Sequence, residues 1–323
     1  MPLLETDKLS LHYKTRIGEK VHAVDGVSFA LDSGRVLGVA GESGCGKSTL
    51  VNGIMGLFLP PLYYSSGAVS IDGINIIGME PERLRKDILG KRISIIPQGA
   101  LNSLNATRKI KNFACDVMRC HEPDLDKPSI IKRLTERFEA IGLDKRVLDA
   151  YPLELSGGMK QRVVIGISTI MNPRVVIADE PSSALDVSTQ KAVITLLLDL
   201  MRQDIIGSMI FITHELPLLY HIANDIAIMY AGEFVETGTR DQIIHDPRHP
   251  YTRALMDSML LAEEGSREKK PTALPGAPPN LKKKMEGCRF APRCPVANKA
   301  TCPMNRQEMK TVADRLVRCE YAK

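Results

Sequence analysis

Residues 36–50 read VLGVAGESGCGKSTL: a β-branched apolar run, a glycine-rich turn, then Lys47, Ser48 and Thr49 opening a second apolar run, STLVNGIMG, with helix-like spacing. The pattern G-x-x-x-x-G-K-[ST] is filled by Gly41, Gly46, Lys47 and Ser48, and strand-before, helix-after is the context a phosphate-binding loop requires. Glycines let the backbone turn successive N–H groups round one anion, and the helix start adds its partial positive charge. Lys47 is expected to reach the β- and γ-phosphates and Ser48 to offer its hydroxyl to Mg²⁺, with Ser43, Gly44, Cys45 and Thr49 completing the cradle. The stretch predicts a nucleotide site and leaves open what its energy drives.

Upstream, residues 1–35 alternate polar and apolar side chains and break at Gly18, Gly26 and Gly34, which reads as antiparallel strands with tight turns. Tyr13 ends the first of them, where an aromatic serves either strand packing or stacking on an adenine ring. Downstream, GAVSIDGINI reads as a strand pair around Gly67 and Gly73. RISIIPQ is then a short apolar strand that Pro97 stops, leaving Gln98 at its carboxyl end, where open α/β sheets gather ligands. Gln98 is a candidate Mg²⁺ or water ligand.

From about residue 100 to 157 helical spacing takes over, with Ile130, Leu134, Phe138 and Ile141 on one face. This insertion closes at Ser156, Gly157 and Gly158, a second anion-binding helix start, this one without a lysine. VVIADE (175–180) reads as a buried strand ending in two acids: Asp179 suits outer coordination of Mg²⁺, and Glu180 suits orienting or deprotonating an attacking water. A turn with Asp186 leads to an amphipathic helix. SMIFITHE follows, the third apolar strand to end in a chemically useful side chain, and His214 is the candidate γ-phosphate sensor. DIAIMYAGEFVETG reads as a hairpin around Gly232.

GESGCGKST, Gln98, LSGGMKQR, VVIADE, SALD and His214, in that order and spacing, resemble the ATPase subunit of an ABC transporter over roughly residues 5–255. LSGGMKQR is the most specific of these, since many unrelated ATPases carry a phosphate loop without it. The resemblance implies a RecA-like core sheet, an antiparallel β subdomain and a helical subdomain. It also implies that Tyr13 stacks on adenine, that Gln98 couples, that Asp186 lies in a subunit-contacting loop, and that His214 is a switch. Ser156, Gly157, Gly158 and Gln161 then form a signature serving the ATP of an opposed subunit, so the chain alone should hydrolyse poorly. HAVDGVSF, IIPQGALNSLNA, YPLELSGGMKQRV and HPYTRALMDS are similar to the ATPase subunits of bacterial dipeptide and oligopeptide importers. Ser182 and Ser183 stand where Thr is common in that branch, and Leu153 where His is frequent.

The 323 residues carry 44% hydrophobic side chains, enough for one large α/β domain and a smaller one. A formal charge of +5 does not mark a nucleic-acid binder, and none is expected as a partner. There is no apolar run of about 18 residues, and MPLLETDKLS lacks an export pattern, so the chain is expected to be cytoplasmic with any membrane role reached through a partner.

Of seven cysteines, Cys288, Cys294, Cys302 and Cys319 crowd the end of the chain, which in a cytosolic protein points to a metal site rather than disulfides. Four thiolates suit tetrahedral Zn²⁺ or an iron–sulfur cluster. The wide spacing and the prolines after Cys294 and Cys302 favour [4Fe–4S], as does the ligation this importer branch implies, and Zn²⁺ stays as the alternative.

The expected organisation is a nucleotide-binding domain at 1–258, a linker at 259–287 and a Cys-rich cluster-binding domain at 288–323. The expected function is ATP hydrolysis at the cytoplasmic face of the membrane, powering dipeptide or oligopeptide import. Expected partners are a second, related ATPase subunit, two transmembrane permease subunits and an extracytoplasmic peptide-binding protein. The alternatives are another cargo, such as a metal chelate or oligosaccharide, and a soluble ABC ATPase outside transport.

Overall fold

A computed structural model describes every residue except 100–102, 184, 259–273, 275, 283–284, 299 and 323. Most of the expected linker, the start of the expected helical insertion and Ala184 of SALD lie outside the described residues. In chain order the elements are β1 (Leu4–Lys14), β2 (Lys20–Leu31), β3 (Val36–Ala40), α1 (Lys47–Ile54), β4 (Leu62–Ile71), β5 (Ile74–Asn75), α2 (Pro81–Arg83), β6 (Ile93–Ile96), α3 (Ile110–His121), α4 (Lys127–Ala140) and α5 (Gly157–Ser168). They continue with β7 (Val175–Asp179), α6 (Val187–Arg202), β8 (Ser208–Thr213), α7 (Leu216–Ile222), β9 (Asp225–Tyr230), β10 (Glu233–Thr239), α8 (Arg240–His245), α9 (Pro250–Asp257), β11 (Lys310–Val312) and β12 (Arg315–Val317). The chain forms two compact units, one of residues 1–4, 31–35 and 70–212, the other of residues 5–30, 36–69 and 213–323.

In the first unit β6, β7 and β8 run parallel, with Ile93 opposite Val175 and Val175 opposite Ser208. Every residue of β7 and β8 is buried, as strands covered on both faces must be, and this is why they read as unbroken apolar runs. Equal register sets their carboxyl ends side by side. α4 buries Ile130, Leu134 and Phe138, the face its spacing predicts, and Ile141 is buried at its C-cap.

In the second unit β3 runs parallel to β9, β9 and β10 form the hairpin expected around Gly232, and β1 lies between β2 and β4 in a separate sheet. Gly26 and Gly67 sit inside β2 and β4 rather than in turns. A Cβ on Gly67 would lie 2.6 Å from the Leu9 Cα, so that glycine marks a close backbone approach within the sheet.

The cysteine tail belongs to this unit and is not set apart as a separate domain. Its hairpin, β11 and β12, extends the β9–β10 sheet through Glu236 opposite Val317 and Thr237 opposite Leu316. Phe290 is buried with its ring centre 5.2 Å from that of Tyr230 and 5.3 Å from that of Tyr251. Among the described residues no helix is long and apolar enough to cross a membrane.

Candidate functional site

The turn between β3 and α1 can be made only with glycine at its two motif positions. Gly41 has φ +156° and Gly46 φ +112°, and a Cβ on either would meet a main-chain carbonyl, Met229 O at 2.1 Å and Ala23 O at 2.2 Å respectively. Gly46 also brings no capping side chain to α1, whose first turn carries no acid. The N–H groups that open the helix are therefore left for an anion. Lys47 is buried and folds back, its Nζ donating to Gly41 O at 2.8 Å and Glu42 O at 3.1 Å. Cys45 is buried, which pushes its thiol pKa up, while Ser43, Gly44 and Ser48 are exposed. Tyr13 lies beside this loop, its hydroxyl 3.2 Å from Thr49 Oγ1.

Two further residues, Tyr251 and Arg293, hold the loop, and neither was among the site residues expected from sequence. The Glu42 N–H donates to Tyr251 Oη at 3.0 Å. The Glu42 carboxylate accepts both ends of the Arg293 guanidinium, at 2.7 and 3.0 Å. Arg293 also donates to Tyr230 Oη at 3.3 Å, and its side chain is 4% exposed. The segment HPYTRALMDS carries Tyr251, and its resemblance marked it; its contact with the loop had no local signature.

In the first unit the ends of β6 and β7 bring Gln98 and Glu180 together, Gln98 Nε2 donating to Glu180 Oε2 at 3.1 Å. Asp179 is buried at the end of β7. Glu180 turns out of the strand with φ +47°, a left-handed conformation that is strained for a glutamate and is held by its N–H donating to Ile212 O at 2.9 Å. Such outliers concentrate at functional sites.

Ser156 caps α5, its Oγ accepting from the Met159 N–H at 3.3 Å. Among the described residues a Cβ added to Gly157 would meet nothing within 4 Å, and one on Gly158 only Thr189 Cγ2 at 3.6 Å. Gln161 is buried on α5, and among the described residues its Nε2 has no hydrogen-bond partner. Asp186 caps α6, and hydrogen bonds from Ser188 and Thr189 hold its carboxyl well below the usual range. His214 is exposed just beyond β8.

Cys288, Cys294, Cys302 and Cys319 line one small cavity of about 20 Å³ with Phe290, Ala291 and Tyr321. Burial raises the thiols of Cys288, to about 11, and of Cys294 and Cys319, with neighbouring cysteines adding to the effect. Among the described residues no three His, Cys, Asp or Glu side chains converge as a single-ion site. Four thiols facing one cavity are the donor chemistry of a four-thiolate group, whether cluster or Zn²⁺.

The ABC transporter family profile matches residues 24–183, and that of the oligopeptide/dipeptide transporter C-terminal region matches residues 235–302. The oligopeptide transport ATP-binding protein OppD of Bacillus subtilis is 42% identical over 301 residues, 92% of this chain and 82% of the relative. This chain belongs to the ATP-binding proteins of ABC transporters. Within that family it is also similar to OppF of Salmonella typhimurium, 37% identical over 91% of this chain and 89% of the relative. DppD of Escherichia coli is 35% identical over 99% of this chain and 97% of the relative. A dimeric ABC cassette solved with ADP and phosphate superposes with a TM-score of 0.64 at 25% identity, over 73% of this chain and 98% of that one. The fold is thus the phosphate-loop ABC ATPase cassette, and ATP with Mg²⁺ is its nucleotide.

Proposed function

We propose that this ABC ATPase powers uptake of dipeptides or oligopeptides from the cytoplasmic face of the membrane, seated peripherally on two permease subunits that an extracytoplasmic peptide-binding protein supplies. The C-terminal match to the oligopeptide/dipeptide region supports that cargo class, as do relatives named for oligopeptide and dipeptide transport. The observation that carries the ATPase reading is the loop at Gly41–Thr49, whose Gly41 and Gly46 have no room for a side chain and whose lysine is parked on the loop's own carbonyls.

On ATP binding, Lys47 exchanges the carbonyls of Gly41 and Glu42 for the β- and γ-phosphates, and the first N–H groups of α1 take the remaining charge. Tyr13 stacks on the adenine. Ser48, Gln98 and Asp179 are the residues that would hold Mg²⁺, which would supply neutralisation of charge on the phosphates. Glu180 orients and deprotonates the attacking water, the Gln98 amide fixes its carboxylate, and His214 contacts the γ-phosphate. Ser156, Gly157 and Gly158 act on the ATP of a second ATPase subunit, a related chain, so hydrolysis waits for assembly. The four cysteines hold a [4Fe–4S] cluster, for which the shared cavity and four thiols are the support; Zn²⁺ is the alternative that elemental analysis separates.

Glu180→Gln tests the assignment. MgATP affinity should stay within about threefold while hydrolysis in the assembled transporter falls about 10³-fold, the worth of a general base. Undiminished hydrolysis by this variant would remove Glu180 from the mechanism. For the tail, purified protein with visible charge-transfer absorption and about four irons per chain supports the cluster, and colourless zinc-bearing protein overturns it.

A further inference from the structure

We propose that Arg293 and Tyr251 are positioning residues for the phosphate loop, so that the cysteine tail helps to set the affinity for ATP. The inference rests on the loop being the nucleotide site and goes beyond it by assigning the tail a part in that site. Glu42, the second residue of the loop, is fixed at its main chain by Tyr251 and at its carboxylate by both ends of Arg293. Its carbonyl is one of the two that hold Lys47. The same residue is thus tied outward to the tail and inward to the phosphate-binding lysine.

Arg293 is in turn fixed by the cysteine segment. Its N–H donates to Phe290 O at 2.9 Å, the Ala291 N–H to Cys288 O at 3.1 Å, the Cys294 N–H to Ala291 O at 3.3 Å, and the Cys288 N–H to Cys302 O at 2.7 Å. This short turn places the guanidinium between two of the cavity cysteines in sequence, and Phe290 locks it against Tyr230 and Tyr251. A two-point Arg–carboxylate pair restrains orientation as well as distance, which a single ammonium does not. With the pair intact the loop keeps the path that its glycines permit. With it broken, a buried arginine loses its partner, and Glu42 is left with its main-chain tether alone. Coupling of this kind is reciprocal: if the tail favours the nucleotide-binding loop, bound nucleotide must favour the ordered tail.

The experiment measures MgATP binding to the full chain for the wild type, Lys47→Ala, Arg293→Ala, Arg293→Lys, Glu42→Gln and the Arg293→Ala/Glu42→Gln pair. Amide exchange across 288–294 is followed with and without MgATP. Loss of binding by Lys47→Ala establishes the loop as the nucleotide site; if it binds as the wild type does, that reading and this one both fail. With the loop established, Arg293→Ala and Glu42→Gln should each weaken binding about tenfold, with the double variant no weaker than either single one and Arg293→Lys intermediate. MgATP should slow exchange at 288–294 in the wild type and not in Glu42→Gln. Should Arg293→Ala not fold, Arg293→Lys and Glu42→Gln carry the same comparison. Affinities within twofold of wild type in these two, or additive losses in the pair, or an exchange rate at 288–294 blind to nucleotide, would overturn the proposal and leave the tail a merely packed segment.

Discussion

Two helix starts in this chain are glycine-rich, and their glycines are there for opposite reasons. At Gly41 and Gly46 the chain itself forbids a side chain, because main-chain carbonyls occupy the space. At Gly157 and Gly158 no described residue forbids one, and a side chain would stand in open space or touch one methyl group. The first helix start is furnished from within its own unit, with a lysine, an aromatic neighbour and two tethers on Glu42. The second has a capping serine and an open face. Room at a helix start leaves that start open, and the proposed function assigns the opening at Gly157 and Gly158 to a second ATPase subunit.

Alanine substitution separates the two cases. Gly46→Ala sets a Cβ against a carbonyl that cannot yield, at a φ of +112°. MgATP binding should weaken at least about 100-fold, and stability should fall by about 1–3 kcal/mol from backbone strain alone. Titration and thermal melts check both; binding within threefold of wild type would mean the loop is not held as described. Gly157→Ala should do the reverse. The isolated chain gains up to about 0.5–1 kcal/mol from better helix propensity and binds MgATP unchanged, while the assembled transporter hydrolyses about tenfold more slowly. Full activity in that variant would erase the distinction between the two helix starts.

What could be foreseen followed from how local each signal is. The phosphate loop is encoded within nine residues, and its neighbours add strand and helix patterns that agree with it. The strand-end residues were legible because unbroken apolar runs announce parallel buried strands, and parallel register then brings Gln98 and Glu180 into contact. The Arg293–Glu42 pair spans 251 positions, and nothing in either neighbourhood marks an arginine as belonging to a glutamate so far away. Gly26 and Gly67 misled because a glycine admitting a close backbone approach looks, in sequence, like one making a turn. The tail's hairpin has no sequence signature, since strands of three residues show no alternation.

The furnished start should also be sensitive to acid in a way the open one is not. His249 caps the helix that carries Tyr251, its Nδ1 accepting from the Tyr251 N–H at 3.0 Å, while its own N–H donates to the buried Glu236 at 2.8 Å. Burial, with the nearby Arg318 charge adding to it and a hydrogen bond to the Arg318 backbone opposing, lowers its pKa from the usual 6.5 to about 3. The unfolded chain therefore takes up the proton first on acidification. The contribution is complete above about pH 6.5 and is lost as the pH falls toward 3, with a slope of at most about 1.4 kcal/mol per unit. Stability measured between pH 4 and 7 should show that slope in the wild type and a flatter one in His249→Gln, whatever the variant's stability at neutral pH. Equal slopes would place the acid-sensitive group elsewhere.

The smallest effect is expected at the cap of the open start, where one hydroxyl has two uses. Ser156 Oγ accepts from the Met159 N–H, and at 3.3 Å that is a long hydrogen bond. Removing it in Ser156→Ala should cost about 0.5–1 kcal/mol, the lower part of the range for a lost serine cap. An oxygen that accepts through one lone pair still has its own O–H to donate, and on the proposed function its acceptor is the phosphate of ATP on a second subunit. The variant should therefore also slow hydrolysis in the assembled transporter by a few-fold, and Ser156→Thr, which keeps the hydroxyl, should restore both. If stability falls and hydrolysis does not, Ser156 serves only its own helix, and the reach toward a second subunit rests on Gly157 and Gly158 alone.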